Sequence, residues 1–286
     1  MVMNQEGLCD LHTHTQASDG LHKPAENVHF AKQKGLAAIA ITDHDTIAGI
    51  EEALRVGEED GVIVVPGIEI STRVDDQDIH VLGYYIDFHD QVFLRRLEEL
   101  RSTRERRNEL IISKLQQLGV SITLDEVINH LGRPLRADES IGRPHIADLL
   151  VHKGYVSNMR EAFDRYLAEG AAAYVSLPRI TPAEAMNWIR EADGTPVLAH
   201  PGLYKNDDLV RAIIEEGRPA GIEVYHSDHS EADEERYMLM AEHYELIMTG
   251  GSDFHGARQG VIFHGDIGNR TVSAEVLSLL SSRRGI

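Results

Sequence analysis

Leu36-Ala-Ala-Ile-Ala-Ile-Thr-Asp-His-Asp45 is a short unbroken apolar run that stops abruptly in two carboxylates and an imidazole. A run of this length, with no polar alternation, suits a strand covered on both faces, as in a parallel sheet flanked by helices. The spacing predicts a strand over Leu36–Thr42, with Asp43-His44-Asp45 where the chain leaves the core. Its flanks agree. A helix is predicted from Pro24, a favourable first-turn residue, to Gly35, and a second from Ile47 to about Asp60, closed by Gly61.

The same grammar recurs in both directions. Upstream, Cys9-Asp-Leu-His-Thr-His-Thr15 reads as a strand whose His12 and His14 share a face, because side chains alternate along a strand. Asp19 follows closely. Taken alone, His-x-His fits an ordinary half-buried strand equally well. Downstream, Val62–Val65 leads through Pro66-Gly67-Ile68 to Glu69, and Ile79–Ile86 is a strand with His80 at its start. Later strands over Pro196–Ala199, Gly221–Tyr225 and Leu246–Thr249 end at His200, at His226, and at Gly250-Gly-Ser-Asp253-Phe-His255. Helices are predicted between them over Pro182–Ala192, Asp207–Glu216 and Glu231–Tyr244, with a last one near Val276–Leu280.

Between the two halves the pattern turns helical. Leu94, Leu97, Leu100, Leu110, Ile111, Leu115 and Leu118 form one apolar stripe, and shorter helices continue to about Glu169. The expected organisation is therefore α/β. Residues 1–98 and 180–286 form a mainly parallel barrel, and 99–179 form a small helical insertion. In such barrels the working face lies at the carboxyl ends of the strands. Every histidine or carboxylate named so far falls there except His80.

The 286 residues carry a formal charge of −19 and a single cysteine, Cys9. The charge argues against binding a long nucleic-acid duplex, which needs Lys and Arg against phosphate. One cysteine excludes a disulfide framework and a thiolate zinc cluster. No apolar run reaches about 18 residues, the length of a membrane span, and Met1–Gly7 has no leader character. A reducing cytoplasm is the expected location.

Nine residues stand out as metal donors: His12, His14, Asp19, His44, Glu69, His80, His200, Asp253 and His255. Imidazole and carboxylate without thiolate suit Mn(II), Zn(II) or Fe(II). Nine donors are too many for one tetrahedral ion. Shared among two or three ions, with Glu69 bridging, they suit in-line phosphoryl chemistry, where a multinuclear site ionises water and holds the leaving oxygen.

His12-Thr-His14 with Asp19-Gly20, Thr42-Asp43-His44-Asp45, Pro66-Gly67-Ile68-Glu69, His80-Val-Leu-Gly83, Ala199-His200-Pro201 and Gly251-Ser252-Asp253-Phe254-His255 together resemble the PHP (polymerase and histidinol phosphatase) family. The likeness is strongest to the branch hydrolysing nucleoside 3′,5′-bisphosphates and short oligonucleotides. It implies a distorted (β/α)7 barrel with the helical insertion lining the substrate site. It also implies three divalent ions, Mn(II) favoured. One would be held by His12, His14, Glu69 and Asp253, a second by Glu69, His80 and His200, and a third by Asp19, His44 and His255. Asp19 and His44 thereby join the catalytic set. The implied enzyme is a metal-dependent phosphoesterase acting on small nucleotides and on short oligonucleotides from the 5′ end. A histidinol-phosphate-type phosphatase, a non-catalytic metal-binding module and a carbon–nitrogen hydrolase are the alternatives.

Six arginines lie between Arg95 and Arg107. Arg104 and Arg107 share a helix face, and Arg143 precedes Pro144 at a predicted helix start, where free backbone amides favour an anion. Similar Arg-rich segments in the resembling branch line substrate phosphate, which makes Arg104, Arg107 and Arg143 the expected clamp for a second phosphate. His226, at a strand end on the working face, joins the catalytic and substrate-binding residues as general acid or phosphate contact, with a supporting role as the alternative. Asp43 is expected to orient a metal-bound imidazole. His22, His29, His89, His130, His152, His229, His243 and His264 are read as surface or local hydrogen-bonding residues, and His145 is left open.

Overall fold

In a computed structural model, residues 7–258 and 260–286 are described. The first half runs β1 (Leu8–Asp10), α1 (Pro24–Gln33), β2 (Ala38–Ile41), α2 (Ile50–Asp60), β3 (Ile63–Val74) and β4 (Gln77–Tyr84). Then come α3 (Gln91–Gln117), α4 (Leu124–His130), α5 (Arg143–His152) and α6 (Met159–Ala162), which passes into a π-helical turn. The second half runs α7 (Pro182–Glu191), β5 (Thr195–Leu198), α8 (Asp207–Gly217), β6 (Gly221–His226), α9 (Glu231–His243) and β7 (Ile247–Gly251). A small hairpin of β8 (Ala257–Arg258) and β9 (Val261–Ile262), then β10 (Val272–Ser273) and α10 (Glu275–Ser281), complete the chain.

Eight strands form one sheet in the order β10-β1-β2-β3-β4-β5-β6-β7. Beyond β1 and β7 the chain closes this sheet on itself. Leu11 N–H donates to Gly250 O at 3.1 Å, Asp253 N–H donates to His12 O at 2.8 Å, and Thr13 bridges Phe254 in parallel. The result is an α/β barrel. Every residue of β2 and β5 is buried, as an unbroken apolar run requires.

The sheet is mainly but not wholly parallel, since β4 runs antiparallel to both β3 and β5. That reversal accounts for His80. The start of an antiparallel strand lies at the end where its parallel neighbours finish, so His80 pairs with Ser71 beside Glu69. Likewise β3 does not stop at Val65. It runs to Val74, paired with β4 over eight positions, and Glu69 sits within the strand. Pairing of Ile41 with Pro66 carries the register on to a bridge between His44 and Glu69, level with the barrel mouth.

Helix α3 belongs to two cores. Its first turns pack Phe93, Leu97 and Leu100 against barrel residues such as Ile70 and Ile189. Its later turns pack Ile111, Ile112 and Leu115 against Ile146, Leu150 and Leu167 of the helical segment. Residue 99 therefore falls inside one continuous helix. Among the described residues, no helix is long and apolar enough to cross a membrane.

Candidate active site

The extended segment after β1 delivers His12 and His14 to the barrel mouth, ring centroids 5.2 Å apart and both wholly buried. Opposite, the chain passes through Gly251, where a Cβ would sit 2.4 Å from His12 N and Cβ. Only glycine lets the two backbones approach this closely. Asp45, His200 and Asp253 all adopt positive φ (56°, 22° and 53°), a strained choice for residues with side chains and one that clusters at functional sites.

Carboxylates tie the rings together. Asp253 Oδ1 lies 3.4 Å from His12 Nε2 and 3.1 Å from His14 Nε2, while Glu69 Oε2 lies 3.5 and 3.2 Å from the same atoms. The other Glu69 oxygen meets His80 Nδ1 at 2.8 Å and His200 Nε2 at 3.0 Å. Asp19 faces His255 Nε2 at 3.2 Å and His44 Nε2 at 3.9 Å, and His44 Nδ1 is 2.9 Å from Glu69 Oε2. All nine donors anticipated from sequence thus meet in one cluster, with Glu69 at its centre.

Burial disfavours charge on Asp19, Glu69 and Asp253, yet the surrounding imidazoles hold all three well below the usual carboxylate range. Burial likewise opposes protonation of His14, but Asp253 and Glu69 raise its pKa to about 10. His200 goes the other way, to about 4, because burial outweighs Glu69 there. These groups fit divalent cations. Nε2 of His12, Nε2 of His14 and Nδ1 of His44 are buried without a hydrogen-bond partner. Donor atoms about 3 Å apart match the edges of a coordination shell with ~2.0–2.2 Å bonds. Compact donor groups form around His14/Asp19/His44/His255, His12/His14/Glu69 and His44/Glu69/His80.

Supporting groups fix this cluster from behind. His12 Nδ1 lies 3.0 Å from Glu223 Oε1, and Glu223 Oε2 accepts from His200 N–H at 2.8 Å. Glu223 was absent from the sequence reading; the available signal was a lone carboxylate inside the otherwise apolar Gly221–His226 strand. Asp43 lies one residue removed from a ring, since Ser18 Oγ, its hydrogen-bond donor, is 3.5 Å from His14 Nδ1. It accepts from Thr15 N–H, Thr15 Oγ1 and Ser18 Oγ, at 2.7, 2.7 and 2.6 Å, and so shapes the turn around His14 instead of holding a ring directly. His226 is reassigned. It is fully buried, its Nδ1 accepts from Asp228 N–H, its Nε2 faces Asp253 Oδ2 at 3.3 Å beside His12, and it does not line the cavity described below. His229, read as a surface or local hydrogen-bonding residue, is buried and bridges Val224 O to Gly202 N–H, pinning the loop after His200. His145, left open, accepts from Gly142 N–H.

Above the cluster lies a cavity of about 390 Å³. Seven of the nine donors form its floor, all but the deeper His12 and His14. Arg104, Arg107, Arg143 and Arg179 form one wall, and Met159, Phe163 and Phe263 contribute an apolar one. Arg104 is already bound to Asp45 and Ser71. Arg143 and Arg179 both reach Asp78, at 3.3 and 3.4 Å. Arg107 differs: it is 4% exposed, and among the described residues its Nε has no partner and its one side-chain hydrogen bond is to neutral Asn108. Burial, with Arg104, Arg143 and Arg179 nearby, depresses its pKa well below the usual guanidinium value. Arg179 and His264 lining the cavity are further residues that sequence reasoning missed or misplaced, since both stand on irregular chain.

The PHP domain model matches residues 10–177. A 5′-3′ exoribonuclease from Haemophilus influenzae is 35% identical over 250 residues, covering 86% of this chain and 89% of the relative. A 3′,5′-nucleoside bisphosphate phosphatase from Chromobacterium violaceum is 33% identical over 258 residues, covering 88% of each. The structure of a proposed metal-dependent phosphoesterase from Bifidobacterium adolescentis superposes with a TM-score of 0.86 at 30% identity, covering 96% of both chains.

Proposed function

Because this chain belongs to the PHP domain family, and is a metal-dependent phosphoesterase, we propose that it acts on small nucleotides carrying two phosphates, 3′,5′-bisphosphates foremost, and on short oligonucleotides from their 5′ end. The observation carrying the substrate class is Arg107. A buried guanidinium with no carboxylate partner lies on the wall of the cavity whose floor is the carboxylate–imidazole cluster. An unpaired buried charge is unfavourable until an anion arrives. One phosphate would then be held by guanidinium while another reacts at the floor, a demand that a monophosphate does not meet.

The proposed ligand sets are His12, His14, Glu69 and Asp253; Glu69, His80 and His200; and Asp19, His44 and His255, with Mn(II) as the preferred metal. Metal bound there supplies Lewis acidity toward the phosphoryl oxygens and a water ionised near neutral pH. Glu69 presents Oε2 to His12, His14 and His44 and Oε1 to His80 and His200, which suits a shared carboxylate. Glu223 and His226 hold His12 and Asp253 in place, and Asp78 holds Arg143 and Arg179 toward the anion. Segment 99–179 contributes Arg104, Arg107 and Arg143 to the wall, consistent with a substrate-lining role, and a cytoplasmic location agrees with these nucleotide substrates.

The test is hydrolysis by metal-reconstituted protein of 3′,5′-bisphosphates, matched monophosphates and di- to pentanucleotides. A preference for bisphosphate that Arg143→Ala reduces more than it reduces monophosphate turnover supports the clamp. Equal losses on both substrates would refute it.

A further inference from the structure

A second cavity of about 630 Å³ opens beside the first, under the β8–β9 hairpin. The two share Met159, Arg160, Arg258, Phe263 and His264, so they form one continuous space with Phe263 on the boundary. The far side carries Val261 and Ile262, 63% and 45% exposed, beside Asn158 and Asp228. Its one carboxylate, Asp228, is paired with His264. Arg160 is exposed and makes no side-chain hydrogen bond or ion pair among the described residues. Buried Arg258 reaches Asp19 O but, among the described residues, leaves its Nε without a partner.

We infer that this second cavity is the subsite for the next nucleotide of a short single-stranded oligonucleotide, an inference that rests on the phosphoesterase reading above. A 3′-phosphomonoester and a 3′–5′ phosphodiester differ only in what hangs from one oxygen of the reacting phosphoryl group. A phosphatase needs no room there; an exonuclease does. With a 5′-phosphate held at the arginine wall, the second nucleoside extends from the floor into the adjoining space. Phe263 offers its ring to a base, Val261 and Ile262 cover the sugar and base edge, and the free Arg160 meets the next backbone phosphate. Hydrolysis adds the water oxygen to phosphorus and breaks the bond to the 3′ oxygen of the first unit. That oxygen leaves as a hydroxyl with a proton from the water, and the phosphoryl group stays on the 5′ oxygen of the second unit.

The experiment compares kcat/KM for a 5′-phosphorylated trinucleotide and for a nucleoside 3′,5′-bisphosphate, in wild type, Arg160→Ala and the Val261→Ser/Ile262→Ser pair, each checked for folding by circular dichroism. The trinucleotide-to-bisphosphate ratio should fall about tenfold in each variant, the size of one lost stacking or phosphate contact. If wild type hydrolyses the bisphosphate but not the trinucleotide, or if the variants lower both equally, the subsite is wrong and the phosphoesterase reading stands. If wild type hydrolyses neither, both readings fall.

Discussion

His12 Nδ1 and Glu223 Oε1 are 3.0 Å apart with both side chains wholly shielded from solvent. With Nδ1–H donated to that carboxylate, the Nε2 lone pair on the side of Asp253 and Glu69 is left for a cation. Replacing Glu223 with Gln keeps the volume but removes the charge. Metal affinity should fall about 10- to 100-fold, the usual effect of losing a carboxylate behind a ligating imidazole, read by titration of chelated protein with Mn(II). Unchanged affinity would show that Glu223 serves only packing.

Full metal removal with a chelator should abolish phosphate release, and Mn(II) should restore it. Bound metal should also stabilise the fold, by about 2.7 kcal/mol at a free concentration 100 times Kd, seen as a concentration-dependent rise in Tm. Elemental analysis of the reconstituted protein should count three ions per chain. Activity persisting in metal-free protein would defeat the mechanism.

Arg107 predicts a trade between stability and function. Arg107→Met replaces a buried, uncompensated guanidinium with an apolar side chain of similar length. Stability in urea should rise by about 1–2 kcal/mol, while KM for a bisphosphate increases and monophosphate kinetics change little. A loss of stability would mean that the charge is compensated in solution.

Asp78 gives a pH test. Burial alone would raise its pKa, but Arg179, Arg143 and Arg73 bring it down to about 2 from an ordinary value of 3.8. A carboxylate with a depressed folded-state pKa adds stability above the unfolded value, and loses it as pH falls from about 4 through about 2. That is worth about 2 kcal/mol. Asp78→Asn should be less stable than wild type at pH 7, and the gap should close toward pH 2. A gap independent of pH would remove the ion-pair explanation.

At the barrel seam, Gly251→Ala places a methyl group 2.4 Å from His12 N. Either the seam opens or His12 shifts. Stability should drop by about 1–3 kcal/mol, the scale of overpacking a tight contact, together with Mn(II) affinity. Normal affinity in a folded Gly251→Ala protein would mean that the seam does not set the position of His12.

Reading along the chain found most of the donors because they end apolar runs, and the period of a buried run is visible locally. Thus His44 after Leu36–Thr42 and Asp253 after Leu246–Thr249 were legible. His80 was found but not placed, since the reversal of β4 that brings it beside Glu69 is a pairing choice between segments. His264 and Arg179 stand on irregular chain with no periodicity to mark them. His226 was assigned toward substrate because its position after a strand says nothing about which way its ring turns.

The alternation of apolar strands and amphipathic helices, and the chemical types at the strand ends, were determined by the sequence itself. Burial of apolar surface and coordination preference are properties of residue type and spacing. Which carboxylate backs which imidazole, where Arg107 is left without a counter-charge and how two cavities join at Phe263 were decided only in three dimensions. Those features depend on distances of a few ångströms between residues as far apart in sequence as His12 and Glu223, set by barrel closure and strand register.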